Sequence, residues 1–186
     1  MSELSLSHHF LIAMPHMDDP FFARAVVYLC EHSERGAMGM VINRPSDMTM
    51  ATLYRQIGLT LDQPQFADLP VYYGGPVQSD RGFVLHEPIG NWQSTLTVTD
   101  DVAMTTSKDI LTDTGKGQGP ERFIVTLGYA GWEAGQLEHE LSHNGWLPVP
   151  ADMRIAFDLP PEDRYDAAMK LLGFDPLALF GQAGHA

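Results

Sequence analysis

The sequence predicts an α+β fold, a single domain in which helices pack on a strongly curved, mostly antiparallel or mixed β-sheet. Short apolar runs outnumber helical patterns, and tight turns join several of these runs. Strand and helix patterns do not alternate strictly, which argues against a doubly wound parallel sheet. No repeat or linker divides the 186 residues, so we assign residues 1–186 to one domain. We expect its ordered core to run from about residue 8 to about residue 180, because chain ends fray.

The first three predicted strands lie near the N-terminus. Residues 10–14 form a short apolar run that ends at Pro15, and residues 25–30 form a run rich in β-branched and aromatic residues. Residues 33–36 make a tight connection to a third strand at residues 37–43. Because the connection is short, we expect the second and third strands to pair antiparallel.

One helix and three short strands are predicted in the middle of the chain. The helix spans residues 50–57, with Thr49 or Asp47 as its N-cap and Gly58 at its end. Residues 59–69 are predicted to be a loop, since they combine proline and aspartates. The short strands are residues 71–73, 82–86 and 96–98.

Four helices and two strands are predicted in the second half. Asp100 or Asp101 is expected to cap a helix that ends at Thr106, and Ser107 to cap another at residues 108–111. The remaining elements are a strand at 123–127, a helix at 134–143, a strand at 154–157, and a helix at 161–172 between Pro161 and Gly173.

The charge balance argues against nucleic acid and membrane partners. The chain carries 24 acidic and 11 basic residues, a formal net charge of −13 at pH 7. Nonspecific nucleic-acid binding requires clustered Lys and Arg that displace counterions. The basic residues are scattered, so the sequence has no strong nucleic-acid signature, and anionic membrane surfaces are disfavoured for the same reason.

The expected compartment is the cytoplasm. Cys30 is the single cysteine, so no intrachain disulfide can form, and its apolar neighbours predict a core thiol. The N-terminus lacks a basic region, and the apolar run at residues 10–14 is too short for a signal peptide. No apolar run approaches the ~20 residues that span a bilayer.

One short motif points to metal chemistry. His139, Glu140 and His143 match H-E-x-x-H, in which two histidines one helical turn apart hold Zn²⁺ and the glutamate activates a metal-bound water. A zinc-dependent hydrolase is therefore one alternative. The extended form of the motif has a glycine three residues after the second histidine and a third histidine three residues later. This chain has Trp146 and Val149 at those two positions, which argues against the hydrolase.

The apolar stripe of the same helix also argues against a zinc site. Leu137 and Leu141 mark the face that packs on the core, and His139 and His143 lie about 200° away from it at 3.6 residues per turn. We therefore expect both histidines on a solvated face. The sequence predicts no catalytic residue and no cofactor, and zinc is expected only if the protein is the zinc-dependent hydrolase.

A second set of polar residues lies at strand ends and glycine-rich turns. Asn43 and Arg44 end the third strand, Gly74 and Gly75 end another, and Asp80 and Arg81 follow. Arginine forks bind carboxylate or phosphate groups in two-point contacts, so these six residues are candidates for a small-anion site. The competing interpretation is that Asn and Asp satisfy turn backbone while the arginines pair with the abundant acids.

Several segments in order resemble the bacterial YqgE/AlgH family. Residues 36–45 read GAMGMVINRP, residues 73–77 YGGPV and residues 127–138 LGYAGWEAGQLE. The spacing Pro15, Asp18, Phe21 and the segment NGWL at residues 144–147 are similar too. The resemblance extends from Phe10 to Leu179, almost the whole chain.

The resemblance implies a single-domain α+β fold with a coiled, bifurcated sheet in a cytosolic bacterial protein. The family carries a label of transcriptional regulator but no established catalytic residues, so the resemblance supplies no catalytic role. Gly39, Gly74, Gly75, Gly128, Gly131, Asn43, Arg44 and Pro45 match family positions. His139 and His143 fall where the family pattern does not require histidine.

Three functions remain open on the sequence. The favoured one is a non-enzymatic binding or regulatory protein that acts through a small anionic ligand or a protein partner, with any effect on transcription indirect. The first alternative is the zinc-dependent hydrolase. The second is a direct DNA-binding repressor, which the net charge of −13 disfavours.

Overall fold

A computed structural model describes residues 5–173 of the protein. Within that range, ten strands form one curved sheet that five α-helices flank. The strands are β1 His9–Ala13, β2 Val26–Ser33, β3 Gly36–Val41, β4 Pro45–Thr49, β5 Pro70–Tyr73, β6 Val77–Glu87, β7 Thr95–Thr97, β8 Ala103–Thr105, β9 Arg122–Glu133 and β10 Trp146–Pro150. The helices are α1 Met50–Ile57, α2 Asp109–Gly115, α3 Gln136–Ser142, α4 Met153–Asp158 and α5 Pro161–Lys170, with a 3₁₀ turn at Pro64–Phe66. None of these helices is long and apolar enough to cross a membrane.

The sheet is mixed and forks at β9. Its main order is β10-β1-β2-β3-β9-β6-β8-β7, and β5 also pairs with β9 and carries β4 beside it. The pair β5–β9 is parallel, and the other pairs in the described range are antiparallel. These observations confirm the predicted α+β class and the bifurcated sheet.

The core lies on both faces of the central strands. In β1, Phe10 and Ile12 pack in one cluster with residues of α4 and α5, whereas Leu11 and Ala13 pack in another with Trp132 and Leu137. Successive side chains of a strand point to opposite faces. The central strands therefore read as continuous apolar runs, because both of their faces are covered. A third cluster joins α1 and α2 to β5, β6 and β9.

Several predicted elements are confirmed. Helix α1 has the predicted bounds, Thr49 Oγ1 accepts a hydrogen bond from the backbone N–H of Thr52, and Gly58 ends the helix with φ +73°. β2 and β3 form the predicted antiparallel hairpin. Pro161 opens α5 at its first turn.

Two predicted elements are wrong. The helix expected between Asp100 and Thr106 is absent, because Thr99 Oγ1 accepts from the backbone N–H of Asp101 and Val102 and reverses the chain into β8. The strand expected at residues 154–157 is helix α4, because the Asp152 side chain caps it by accepting from the Arg154 N–H.

Other bounds differ from the prediction. β4 and β10 were not predicted, since prolines are uncommon in strands except at edges. Ser107 does not cap α2, whose N-cap residue is Lys108. The strand predicted at 123–127 continues through two glycines to Glu133. The expected core beyond Gly173 lies outside the described residues.

Candidate functional site

The polar residues singled out in the sequence do not come together in one clamp. Asn43 and Arg44 follow β3, whereas Asp80 and Arg81 lie in the irregular part of β6, where its register with β9 shifts between Val77 and Gly82. Of four clefts in the part of the chain that the structure describes, Arg81 lines two and Arg44 lines none.

Asn43 and Arg44 hold the segment between β1 and β2 in place. Asn43 Oδ1 accepts from the backbone N–H of Val26 at 2.9 Å, and its Nδ2 donates to the carbonyl of Arg24 at 2.9 Å. The Arg44 guanidinium donates to the carbonyl of Ala23 at 2.9 Å and also to that of Phe21. These bonds give both side chains a structural role. Their role as ligand residues stays a prediction.

Gly74 and Gly75 allow β9 to pass close by. A Cβ atom at Gly74 would lie 2.3 Å from the carbonyl oxygen of Gly128, and one at Gly75 would lie 2.0 Å from the carbonyl carbon of Tyr129. Neither distance is possible for a side chain, so both positions require glycine. The two glycines thus allow the backbone after β5 to approach β9 at the point where the sheet divides into two branches.

Arg81 lines a cleft of about 360 Å³ between β6, β8 and the start of α2. Lys108 is the second charged residue of the lining, and Thr106 and Ser107 add hydroxyl groups. The Lys108 Nζ donates to the carbonyl of Ile57 at 3.0 Å, and Arg81 Nη1 donates to Gln78 Oε1 at 3.3 Å. Each cation therefore keeps further N–H donors for a ligand. We call this the Arg81–Lys108 cleft.

The charge of this cleft differs from that of the other three. Both charged residues that line it are cations. A cleft beside β5 and α5 combines Arg122 and Arg164 with Glu121 and Asp158, and a cleft at α3 contains aspartates, histidines and Glu140. The fourth is a broad groove of about 830 Å³ whose charged residues are Arg81, Glu31 and Glu133. In a chain of net charge −13, the Arg81–Lys108 cleft is a candidate site for an anion.

His139 and His143 lie on the exposed face of α3, on the side that their spacing predicts. Their ring centroids are 4.2 Å apart with the planes tilted by 36°. The His143 Nδ1 lies 2.9 Å from the carbonyl of His139 and therefore donates to it, which leaves Nε2 as the free ring nitrogen.

Glu140 lines the same cleft as the histidine pair, but its carboxylate accepts hydrogen bonds from two tryptophans. Its Oε1 accepts from the indole N–H of Trp132 and from that of Trp146, both at 3.0 Å, and its Oε2 accepts from Gln136 Nε2 at 2.9 Å. Both indoles are buried. A carboxylate held by three donors satisfies the indoles, so it is poorly placed to take a proton from a metal-bound water.

The surroundings of the histidine pair do not complete a metal site. Among residues 5–173, no group of three or more His, Cys, Asp or Glu side chains is arranged to hold a metal ion. Asp18 and Asp19 line the same cleft as the histidine pair. Asp19 Oδ1 already accepts from the backbone N–H groups of Phe21 and Phe22. A zinc ion here would have two histidine ligands and no third protein ligand in place.

Burial shifts the pKa of three further titratable groups. Burial raises the pKa of the Cys30 thiol far above its usual range, so the thiolate nucleophile is suppressed. Burial lowers the pKa of His86, which is fully enclosed between Thr105 and the carbonyl of Pro88. Burial also lowers the pKa of Arg164, whose guanidinium donates to the carbonyls of Ile42 and Leu159. Each of these three side chains is buried, and the hydrogen bonds of His86 and Arg164 are made within the protein.

The sequence did not indicate Thr106, Ser107 and Lys108 as site residues. They join Arg81 through the pairing of β6 with β8, in which Val84 lies opposite Thr105. Because β8 was predicted as a helix, this pairing was not foreseeable. The lining combines two cations and hydroxyl groups with no carboxylate, and this combination depends on the fold rather than on any local sequence pattern.

Comparison with known proteins places the chain in a family. The sequence model of the AlgH-like family matches residues 10–177. The chain belongs to the AlgH-like family. This AlgH-like chain is 68% identical over 186 residues to a UPF0301 protein of Laribacter hongkongensis, with 100% of both chains covered. It is 63% identical, with the same coverage, to a UPF0301 protein of Chromobacterium violaceum. The resemblance predicted from the sequence is therefore confirmed.

Two solved structures share the AlgH-like fold. The solution structure of the AlgH protein from Pseudomonas aeruginosa superposes with a TM-score of 0.81 at 54% identity and covers 100% of this chain and 98% of that one. A crystal structure of a protein from Corynebacterium diphtheriae superposes with a TM-score of 0.73 at 21% identity, covering 97% of this chain and 93% of its own. The second comparison shows the fold alone. Neither name states an activity.

Proposed function

We propose that this protein is a non-enzymatic binding protein that takes up a small anionic ligand in the Arg81–Lys108 cleft. The observation that supports the proposal is the charge of the lining, two cations with no carboxylate among the lining residues. The hydroxyl of Thr106 is a further donor beside them. A volume of about 360 Å³ is in the range of small-molecule sites.

A regulatory effect would follow from ligand-dependent contact with a protein partner. Direct DNA binding is not part of the proposal, because the net charge of −13 opposes approach to a phosphate backbone. The cytoplasm stays our predicted compartment.

Thermal unfolding in the presence of anions tests the proposal. Wild-type protein is titrated with acetate, succinate, sulfate and inorganic phosphate at constant ionic strength. A ligand that binds only the folded state raises Tm with concentration. We expect at least one anion to raise Tm. Arg81→Ala and Lys108→Met should each lower the affinity for that anion roughly 10- to 100-fold, since each removes a charge-assisted hydrogen bond of about 1.5–3 kcal/mol.

Arg35→Ala is the matched control. Arg35 is an exposed cation in the turn between β2 and β3 and lines none of the four clefts. It should respond to anions like the wild type. The proposal is wrong if no anion raises the wild-type Tm, or if Arg81→Ala and Arg35→Ala respond equally.

A further inference from the structure

Arg81 and Thr106 line two neighbouring spaces. One is the Arg81–Lys108 cleft, and the other is the groove of about 830 Å³ lined mainly by residues of β3, β6, β8 and β9. The two spaces therefore meet at these residues. The Arg81 guanidinium lies 5.7 Å from the ring centre of Phe83, which lines the groove. A molecule bound to Arg81 can thus extend along the groove.

The lining of the groove is largely apolar between Arg81 and the acidic residues. Met38, Val77, Phe83, Met104 and Tyr129 contribute side chains from β3, β6, β8 and β9. Phe83 and Tyr129 pack edge to face at 5.4 Å. The side chains of Met38, Val77 and Tyr129 are half-buried, so part of this apolar surface is open to a ligand.

The acidic residues of the groove lie at its other end. Val77 on β6 pairs with Tyr129 of β9, whereas Glu133 is the last residue of β9 and pairs with Gly36. Glu133 is four residues beyond Tyr129, roughly 13 Å along the strand. Glu31 lies opposite Met38 of β3, and its strand β2 is three strands away from β6 in the sheet. The groove is therefore positive at Arg81 and negative at the far end, which orients an anionic head group toward Arg81.

The charge next to the cleft selects a monoanion. Ser107 Oγ donates to Asp109 Oδ1 at 2.5 Å. The Asp109 carboxylate is therefore in contact with a lining residue of the cleft, and the Ser107 hydroxyl proton is not available to a ligand. Arg81, Lys108 and Asp109 together leave one net positive charge. A carboxylate, with one negative charge, matches that balance better than a phosphate dianion, whose second charge would face Asp109.

We propose that the ligand is an amphipathic carboxylate, with its head group on Arg81 and an unbranched alkyl chain along the groove. This inference rests on the proposed anion-binding function and adds the ligand class. The head group supplies orientation through the arginine fork, and the chain supplies affinity by burying apolar surface against the methionines, Val77 and the two rings.

Calorimetric titration with a homologous series tests the inference. Acetate, hexanoate, octanoate and decanoate are used below their critical micelle concentrations, with decyltrimethylammonium as a cation that carries the same tail. We expect Kd to fall roughly two- to fourfold for each added methylene that is buried. Arg81→Ala should weaken the binding of every carboxylate by a similar factor, whereas any binding of the cation, whose head group suits Glu31 and Glu133, should not depend on Arg81.

Variants of the groove separate tail recognition from head-group recognition. Met38→Gln should flatten the dependence on chain length and leave the Kd of acetate unchanged. Met153→Gln is its control, because Met153 is also half-buried beside the same core cluster but lines none of the four clefts. Val77→Thr, a nearly isosteric change, gives the same readout if Met38→Gln does not fold.

Each outcome distinguishes the two proposals. If acetate binds through Arg81 and chain length has no effect, the anion site stands and the ligand class is wrong. If no carboxylate binds and inorganic phosphate binds through Arg81, the monoanion argument fails. If decanoate and the cation bind equally well, also to Arg81→Ala, both proposals are wrong.

Discussion

At the scale of single residues, the glutamate of the H-E-x-x-H motif is used to satisfy two buried tryptophans. Glu140 Oε1 accepts both indole N–H groups, one from Trp132 in β9 and one from Trp146 in β10. The two rings pack edge to face at 6.0 Å, and Phe22 packs against Trp146 at 5.4 Å. The carboxylate thus links α3 to two strands of the sheet.

Replacing this glutamate should destabilise the protein. Glu140→Ala leaves two buried indole N–H groups without an acceptor, and each unsatisfied buried donor costs about 1–3 kcal/mol. We expect the free energy of unfolding to fall by roughly 2–4 kcal/mol in urea titrations. Glu140→Gln retains an acceptor oxygen and should lose less.

His139→Ala is the control on the same helix. His139 is exposed, so its replacement should change stability by less than about 0.5 kcal/mol. The zinc hydrolase hypothesis requires the opposite pattern. If protein purified without chelator holds one zinc per chain, and His139→Ala loses both the metal and the added stability, our interpretation of Glu140 is wrong.

The sequence predicted the histidines of this motif better than its glutamate. The Leu137 and Leu141 stripe places both histidines on the exposed face, as the structure shows. The partners of Glu140 are six and eight residues away, on strands whose packing the helical period does not determine. Tertiary contacts of this kind have no local pattern from which they could be read.

At the scale of secondary structure elements, β9 organises the sheet. It pairs with β6 along Arg122–Tyr129, with β5 at Thr126 and Leu127, and with β3 beyond Gly128. Gly128 has φ +75°, a left-handed conformation that favours glycine, and a Cβ there would lie 2.3 Å from the carbonyl oxygen of Gly75. The strand can therefore bend where the sheet forks.

Two glycine substitutions should separate this close approach from ordinary strand propensity. Gly75→Ala places a Cβ against the backbone of Tyr129, which cannot move without breaking the pairing with β6. We expect a loss of about 3 kcal/mol or more, or failure to fold. Gly82→Ala, in β6, adds a Cβ with nothing within 4 Å and should be tolerated or slightly stabilising. Equal Tm values for the two variants would contradict the close-approach argument.

The elements that the sequence predicted have local signals, and those it missed depend on pairing. Helix α1 has a Thr49 cap and a Gly58 end, both visible in the sequence. β8 is a strand because it fits between β6 and β7, although the aspartates before it resemble a helix cap. The short run in α4 is ambiguous, since a few apolar residues suit either a strand or a helix.

At the scale of the whole molecule, stability should depend on pH through a buried histidine. The His86 side chain is fully enclosed, and its Nδ1 lies 2.9 Å from the carbonyl of Pro88, so Nδ1 carries the proton. The Nε2 lies 2.7 Å from the hydroxyl of Thr105, a group that can donate to the neutral ring. Trp92 packs edge to face on the ring at 5.1 Å. Burial of the ring lowers the pKa of His86 and so favours the neutral imidazole in the folded state.

The direction of the pH effect follows from the lowered pKa. Burial lowers the pKa of His86 below its usual 6.5, so the unfolded chain binds a proton at a higher pH than the folded chain. The stability contributed by the neutral ring is complete above pH 6.5 and decreases as the pH falls below it. The pKa of His8 is lowered as well, mainly by burial, so this histidine adds an effect of the same sign.

Urea unfolding at pH 7.5 and pH 5.5 measures this linkage. Each histidine that stays neutral in the folded state should lower the unfolding free energy by up to about 1.4 kcal/mol between these two pH values. His86→Gln should be less stable at both pH values, because it disturbs the contacts with Thr105 and Pro88, yet its stability should fall less with pH. His8→Gln should remove only the part of the pH-dependent decrease in unfolding free energy that comes from His8. An equal decrease in the wild type and in His86→Gln would show that His86 does not carry the pH dependence.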